Sequence, residues 1–209
     1  MELLVYDGTE RRMRRYQLEE GEPLPFAGGV TAGEFLSDGY GAPLWSSRAF
    51  LEALAALAET AGPLALRRGL DRRELGPFLF GQAALVSGGE KLARQAVRCG
   101  RWQQVRQTGQ GVLLLQEGSW SRQGPWQPPV LQKGESGPAV AALQWMLGRA
   151  GYSTAVDGRF DDRLYNLLCR CCPQLGDPAG GVWRSGDWPA LCRMAGVLPE
   201  IKQLFLKGT

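Results

Sequence analysis

Residues 131–160 read LQKGESGPAVAALQWMLGRAGYSTAVDGRF and carry the clearest structural pattern of the chain. Pro138, directly after a Ser-Gly pair, is typical of the first turn of a helix. The apolar residues that follow repeat at helical spacing: Val140, Leu143, Leu147 and Ala150. Gly151 ends the repeat. The stretch therefore predicts an amphipathic helix, which needs partner elements to bury its apolar face.

Two segments further along the chain repeat this pattern. Asp161 or Asp162 is the predicted cap of the first, and Asp187 that of the second. The apolar residues of the first are Leu164, Leu167, Leu168 and Cys171. Those of the second are Trp188, Leu191, Cys192 and Ala195. Residues 131–209 are thus predicted to form a small all-α module of three helices.

Ahead of this module, residues 1–117 mix strand and helix signals. A short apolar run over 3–6 ends at an Asp-Gly turn, and Ser46 or Ser47 is the predicted cap of a helix through Thr60. Residues 102–106 and 112–117, joined by a Gly-containing turn, predict a β-hairpin. The predicted fold class is therefore α+β. A segment rich in Pro, Gly, Ser and Gln, residues 118–130, is the predicted linker.

The composition excludes several classes of protein. The 209 residues include no histidine, which rules out catalytic Ser-His and Cys-His pairs and the histidine zinc sites used in hydrolysis. The net charge of +3 is too small to indicate nucleic-acid binding, and the basic run 11–15 is read as a solvated surface. No cofactor is expected. The Cys169, Cys171, Cys172 and Cys192 thiols lack metal-site spacing and are read as structural.

No apolar run is long enough for a membrane span, and the first residues, MELLVYDGTERRMRRY, do not read as a signal peptide. The cell compartment stays open.

The sequence from 131 onward resembles the peptidoglycan-binding domain of bacterial wall proteins over residues 130–197. The resemblance rests on 131–140, Leu143-Gln144, Gly151-Tyr152 and 156–160, and it continues at Gly181-Val182 and in Trp188-Pro-Ala-Leu. It implies a peptidoglycan glycan or stem peptide as the partner. With no visible signal peptide, the implied localisation is synthesis in the cytoplasm followed by action at the cell wall or on a spore.

Some positions depart from this pattern, which puts the binding surface in doubt. They are Asp161, Cys171-Cys172 and Gly180-Gly181. If a glycan groove survives, the aromatic candidates for stacking on sugar rings are Tyr152, Trp183 and Trp188. A role for Trp188 in the core is the favoured alternative, because it is in phase with the apolar residues after it.

Residues 3–117 resemble the zinc D-alanyl-D-alanine carboxypeptidases, whose module is followed by such a binding domain in wall hydrolases. The matching segments are 44–49, 65–68, Gly81-Gln82-Ala83 and Gly100-Arg101-Trp102. The segment 65–68 corresponds to a strand with a substrate-side arginine. The resemblance therefore implies that Arg67 or Arg68 meets a peptide carboxylate, the alternative being a surface ion pair.

The metal ligands of that family are missing. Its motif His-x-x-Gly-x-Ala-x-Asp, aligned on Gly81 and Ala83, places Phe78 and Leu85 at two ligand positions. The third histidine falls in the last strand of the hairpin, at Leu114. With three apolar residues in place of donors, zinc has no site.

The resulting expectation is a non-catalytic pseudoenzyme of the carboxypeptidase family that binds the bacterial cell wall. One alternative is a scaffold that binds a protein partner, such as an active wall hydrolase. A third hypothesis is a peptidoglycan hydrolase with relocated carboxylates at Asp71, Glu74 and Glu117.

Overall fold

The computed structural model describes residues 1–19, 21–116, 126–171 and 180–199. Two sheets organise the first part of the chain. The strands of the first sheet are β1 (Glu2–Asp7), β2 (Arg12–Gln17) and β3 (Leu44–Ser47). They lie in the order β2-β1-β3, with β2 antiparallel and β3 parallel to β1. The apolar run over 3–6 therefore becomes the central strand, since both of its edges are paired.

The second sheet is antiparallel and follows the order β4-β5-β7-β6. Its strands are β4 (Leu66–Arg68), β5 (Ala83–Val86), β6 (Gln104–Thr108) and β7 (Gly111–Leu115). The helices of this part are α1 (Ala32–Phe35), α2 (Arg48–Ala61) and α3 (Glu90–Cys99). The hairpin predicted from residues 102–117 is formed by β6 and β7. The α+β class is confirmed.

Helix α2 shows how the local sequence sets an element. The Ser47 hydroxyl accepts a hydrogen bond from the Phe50 amide at 3.1 Å, which caps the helix as predicted. Phe50, Leu54 and Leu57 are fully buried on one face. Gly62, with φ of 87°, ends the helix in a conformation that favours glycine.

The second part contains the three predicted helices and also a short sheet. The helices are α4 (Pro138–Arg149), α5 (Asp162–Cys171) and α6 (Trp188–Ala195). The expectation of an all-α module is wrong in one respect, because β8 (Leu131–Gln132) pairs antiparallel with β9 (Val182–Trp183). Both segments are too short to show strand periodicity, and only their pairing makes them strands.

The buried apolar residues of the two parts form one continuous cluster. Helix α4 packs on β1 and β3, where the Trp145 and Trp45 ring centroids lie 6.0 Å apart. Elsewhere the Phe80 ring lies 5.0 Å from that of Trp188. The predicted linker, residues 118–130, lies mostly outside the described residues, and the domain boundary there stays a prediction.

The end of the described chain also joins the two parts. The Leu198 amide donates to the Arg73 carbonyl, and the Leu75 amide donates to the Leu198 carbonyl, each at 2.8 Å. Gly158 approaches β2 so closely that a Cβ atom there would lie 2.7 Å from the Met13 side chain. The Asp-Gly turn of the second part is therefore a contact with the first.

Candidate functional site

The three positions that the carboxypeptidase resemblance assigns to zinc ligands do not all lie on one face of the second sheet. Leu85 pairs with Leu113 across β5 and β7, whereas Leu114 pairs with Ala84. Because paired residues share a face of a sheet and successive residues alternate, Leu85 and Leu114 point to opposite faces. The assignment of Leu114 to the third ligand position is thus wrong in this register, and Leu113 is the residue across from Leu85. Phe78 is buried in the turn that precedes β5.

Arg68 lies beside two of these positions. It pairs with Leu85 between β4 and β5, and its guanidinium carbon is 4.2 Å from the centroid of the Phe78 ring. Its Nη2 donates to Glu74 Oε1 at 2.6 Å, and its Nε lies 2.6 Å from Asp71 Oδ2 without the alignment of a hydrogen bond. The Arg68 charge is therefore neutralised inside the protein.

Arg67, the other arginine candidate, points to solvent. Its side chain is exposed, and its Nε donates to the Ser87 hydroxyl at 2.8 Å. Arg67 falls at an irregularity of the β4–β5 pairing, between Leu66 opposite Val86 and Arg68 opposite Leu85, and its side chain is exposed whereas that of Arg68 is half-buried among its acidic partners. The structure separates them.

Asp71 and Glu74 belong to an ion-pair cluster rather than to a pair of free carboxylates. The Asp71 side chain is fully buried and contacts the guanidinium groups of Arg68 and Arg73. Burial alone would raise the pKa of Asp71, but hydrogen bonds from Arg73 and the charge of Arg68 hold it below its ordinary value. A general acid needs the opposite shift. Glu117, the third carboxylate of the hydrolase hypothesis, lies outside the described residues.

We expect Asp71 to make stability depend on acid pH. Its folded-state pKa is lowered, so its contribution is fully present above the unfolded pKa of about 3.9 and is lost as the pH falls through the folded value. The free energy of unfolding in urea, measured from neutral pH downward, should therefore fall less steeply in Asp71→Asn than in the wild type. Parallel profiles for the two proteins would contradict this role.

Two of the three aromatic candidates for sugar stacking are buried. Trp188 is 0% exposed and Trp183 is 1% exposed, and their rings pack edge to face with centroids 6.0 Å apart. The Trp188 indole donates to the Pro129 carbonyl at 2.7 Å. Their assignment as binding residues is wrong for this structure, because no face of either ring reaches solvent. The helical spacing of Trp188 with the apolar residues after it indicated that it is buried. No sequence pattern around Trp183 indicated its burial.

Tyr152 is half-buried, and its hydroxyl donates to the Cys171 carbonyl at 3.3 Å. This hydrogen bond joins the segment that follows α4 to the last residue of α5. Cys192 is buried with its thiol 3.8 Å from the Met146 sulfur, and burial raises its pKa to about 12. A thiol of this kind is inert, as expected for a structural cysteine. Cys172 lies outside the described residues.

A cleft of about 1010 Å³ opens where the two parts of the chain meet. The first part contributes the β1–β2 turn, the start of α2, the α3–β6 connection and the residue after β7. The second part contributes β8, the loop before α4 and the first turn of α4. The polar and aromatic side chains of the lining are Tyr6, Arg11, Ser47, Glu52, Gln82, Arg101, Trp102, Gln103, Gln116, Glu135 and Ser136.

The charged residues of the cleft differ in their pairing. Glu52 accepts a hydrogen bond from Arg48 at 2.7 Å, and Glu135 accepts one from the Gln132 amide at 2.9 Å. Arg11 and Arg101 have no hydrogen bond or ion pair with any described residue. The unpaired charge of the cleft is thus positive.

Arg11 also has an unusual backbone. Its φ of 53° lies in the left-handed region, which costs a residue with a side chain about 1–2 kcal/mol. The turn before it is held by Asp7, whose carboxylate accepts hydrogen bonds from the Thr9 and Glu10 amides. These amide bonds help hold Arg11 at the edge of the cleft.

Sequence reasoning did not identify this cleft. Arg11 belonged to a basic run read as solvated, and Arg101 and Trp102 were recognised only as part of a turn. The rest of that basic run does lie on the exposed edge strand β2, where Arg12 and Arg14 pair with Glu10. No pattern in the sequence marks Arg11 as different from its neighbours.

Within residues 1–19, 21–116, 126–171 and 180–199, no three His, Cys, Asp or Glu side chains gather as ligands for a metal ion. None of the helices formed by those residues is both long enough and apolar enough to cross a membrane. No family model, curated protein or solved structure matches the chain.

Proposed function

We propose that the chain is a non-catalytic relative of the zinc D-alanyl-D-alanine carboxypeptidases, with a peptidoglycan-binding-like second part, and that it binds the bacterial cell wall. The absence of histidine from the whole sequence supports the loss of zinc chemistry. The apolar character of Phe78, Leu85 and Leu113 supports it further. Burying such residues avoids the cost of about 1–3 kcal/mol for each unpaired polar group left in an emptied site.

The observation that carries the binding role is the cleft between the two parts. Ligand sites occur preferentially where domains meet, and sites for drug-sized ligands measure about 300–1,000 Å³. A cleft of about 1010 Å³ with amide, guanidinium and indole groups in its lining suits a larger polar ligand, such as a muropeptide. Both resemblances point to the same ligand, and both parts of the chain line the cleft.

Wall binding can be tested by sedimenting the purified protein with insoluble peptidoglycan and measuring zinc in the same preparation. We expect saturable binding without stoichiometric zinc. Insoluble cellulose is the matched control, because it is a glycan polymer without a stem peptide. Bound zinc together with release of muropeptides would overturn the proposal and with it the placement of the lost ligands at Phe78, Leu85 and Leu114.

The burial of Trp183 and Trp188 favours a second candidate function. Because these rings are not available to stack on sugars, the second part has lost two of its three candidate glycan contacts. A scaffold that binds another wall protein would not need them. Failure of the protein to sediment with peptidoglycan, in a preparation that is folded, would favour this candidate over wall binding.

A further inference from the structure

We propose that the outer edge of β2 binds an extended, acidic segment of a partner protein, which joins the first sheet as a further strand. None of residues 12–17 lines the cleft, so this surface is separate from it and does not depend on wall binding. The unpaired backbone of β2, the positive charge along it and an exposed aromatic ring beside it together carry the inference.

The outer edge of β2 has backbone groups without partners. Met1, just before β1, and Leu18, just after β2, exchange hydrogen bonds through their backbone groups. Because bonded and non-bonded pairs alternate along an antiparallel ladder, the N–H and C=O groups of Met13, Arg15 and Gln17 point away from β1. None of them has a hydrogen-bond partner in the part of the chain that the structure describes. An extended peptide would supply these partners.

The shape of β2 leaves this edge accessible. The strand spans six residues, contains no proline and keeps a regular register with β1 from Arg12 to Gln17. Short length, proline and bulges are common devices that protect the edge of a sheet from pairing. Of its side chains, only those of Met13 and Tyr16 are partly covered. Charge is therefore the feature of β2 that restricts what can pair with it.

The charge along β2 selects the partner. Arg12 and Arg14 lie on one face of the strand and share the Glu10 carboxylate, so the three groups keep a net positive charge. Arg15 lies on the other face, with its Nη1 atom 3.5 Å from Glu2 Oε2. A second copy of the chain would place its own arginines beside these, and like charges on paired strands are destabilising. A strand with aspartate or glutamate side chains instead gains from each of them.

A shallow groove of about 380 Å³ lies beside the strand, and residues 12–16 and Arg159 of the second part line it. The Arg159 side chain has no hydrogen bond or ion pair with any described residue. The turn before it is held in place, because the Gln144 side-chain oxygen accepts from the Gly158 amide at 2.8 Å and Gly158 packs on Met13. Guanidinium groups from both parts of the chain therefore border one groove.

An exposed aromatic ring lies near the end of the same edge. The Phe26 ring packs edge to face against Tyr16, with centroids 6.2 Å apart, and Phe26 is 38% exposed. Its φ of 67° lies in the left-handed region, which bulky residues rarely adopt. The Leu24 amide closes this turn by donating to the Val30 carbonyl at 2.7 Å. Because exposed ion pairs alone add little affinity, an apolar side chain of the partner against this ring is expected to strengthen binding.

The test is fluorescence anisotropy of a labelled, capped octapeptide of alternating glutamate and valine, titrated with the full chain. We expect saturable binding that weakens as the salt concentration rises. The same peptide with lysine in place of glutamate should bind about tenfold more weakly. A third peptide keeps the glutamates but carries N-methyl groups on its central backbone amides. It should also bind about tenfold more weakly, because its charge is unchanged but it cannot form the ladder.

Variants of the chain separate the backbone contribution from that of charge. Gln17→Pro removes one outward N–H at constant charge and should bind the glutamate peptide about fivefold more weakly than Gln17→Ala, which keeps that N–H. Arg15→Gln/Arg159→Gln should weaken binding about tenfold. The matched control, Arg163→Gln/Arg193→Gln, changes exposed residues of α5 and α6 and should bind like the wild type. Urea unfolding verifies that each variant is folded.

Other occupants of the edge would give different results. Equal binding of the N-methylated peptide would show attraction by charge alone, and displacement of the glutamate peptide by polyphosphate at an equal or lower concentration of charge would show a polyanion site. A dimer of the chain alone in analytical ultracentrifugation that Gln17→Pro abolishes would show pairing with a second copy. Each of these results overturns the proposal, as does the absence of saturable binding. None of them concerns sedimentation with peptidoglycan, so the wall-binding role stands or fails separately.

Discussion

Replacement of Arg72 by methionine is expected to lower the free energy of unfolding by about 3–5 kcal/mol, the cost of leaving one partner of a buried ion pair alone. The side chains of Arg72 and Asp38 are both 0% exposed. Arg72 Nε and Nη2 donate to the two Asp38 oxygens at 2.7 and 2.9 Å. Its remaining bonds go to the carbonyls of Gly41 and Pro43. In the variant, the Asp38 carboxylate keeps only backbone donors.

Aromatic rings from both parts of the chain surround this guanidinium. Its central carbon lies 5.4 Å from the Trp45 ring and 5.1 Å from the Trp145 ring. Trp145 belongs to α4, so Arg72 helps fix the second part on the first. Loss of the charge removes these cation–π contacts in addition to the ion pair.

Urea unfolding followed by tryptophan fluorescence measures the effect. The double variant Arg72→Met/Asp38→Asn should recover part of the loss, because it leaves no buried charge without a partner. Arg12→Met is the matched surface control, since its pair with Glu10 is exposed. A cost for Arg72→Met no larger than that of the surface control would show that the pair is not buried as described.

Trp188→Ala is expected to destabilise the protein by about 3–5 kcal/mol, the usual cost of truncating a buried tryptophan. The ring is 0% exposed and packs against Phe80 of the first part and Trp183 of β9. Its indole also bonds the Pro129 carbonyl. The alanine variant therefore loses contacts on both sides of the junction. Urea unfolding is again the measurement.

Trp188→Phe decides between this role and the sugar contact inferred from the family resemblance. It keeps most of the buried ring and loses the bond to Pro129, so we expect a smaller loss of stability and unchanged sedimentation with peptidoglycan. A variant that is as stable as the wild type but fails to sediment would show that Trp188 contacts the wall directly.

Local sequence patterns predicted the helices and the hairpin whose determining residues lie close together in the chain. The Ser47 cap and the spacing of Phe50, Leu54 and Leu57 define α2 without reference to the rest of the chain. The β6–β7 hairpin needs only its turn and its flanking apolar residues. In each case the hydrogen bonds and the buried face lie within a short segment, so the residues that set the structure are neighbours in the sequence.

Patterns failed where a distant partner sets the conformation. β8 and β9 are two residues long and exist only because they pair across about 50 residues of sequence. The face of the sheet to which Leu114 points depends on the register of β7 against β5. A shift of one residue would turn its side chain to the other face. Trp183 is buried because Trp188 packs on it, which no spacing around Trp183 indicates.

The sequence by itself determined the α+β class, the helices α2, α4, α5 and α6 and the absence of histidine-dependent chemistry, because these follow from local periodicity and from composition. Only the tertiary structure decided that Trp183 and Trp188 are core, that Arg68 is neutralised by Asp71 and Glu74, and that Arg11 and Arg101 line one cleft. Those facts depend on which surfaces of the two parts meet. Charge and burial at a junction are properties of residues far apart in the chain, and no segment carries them alone.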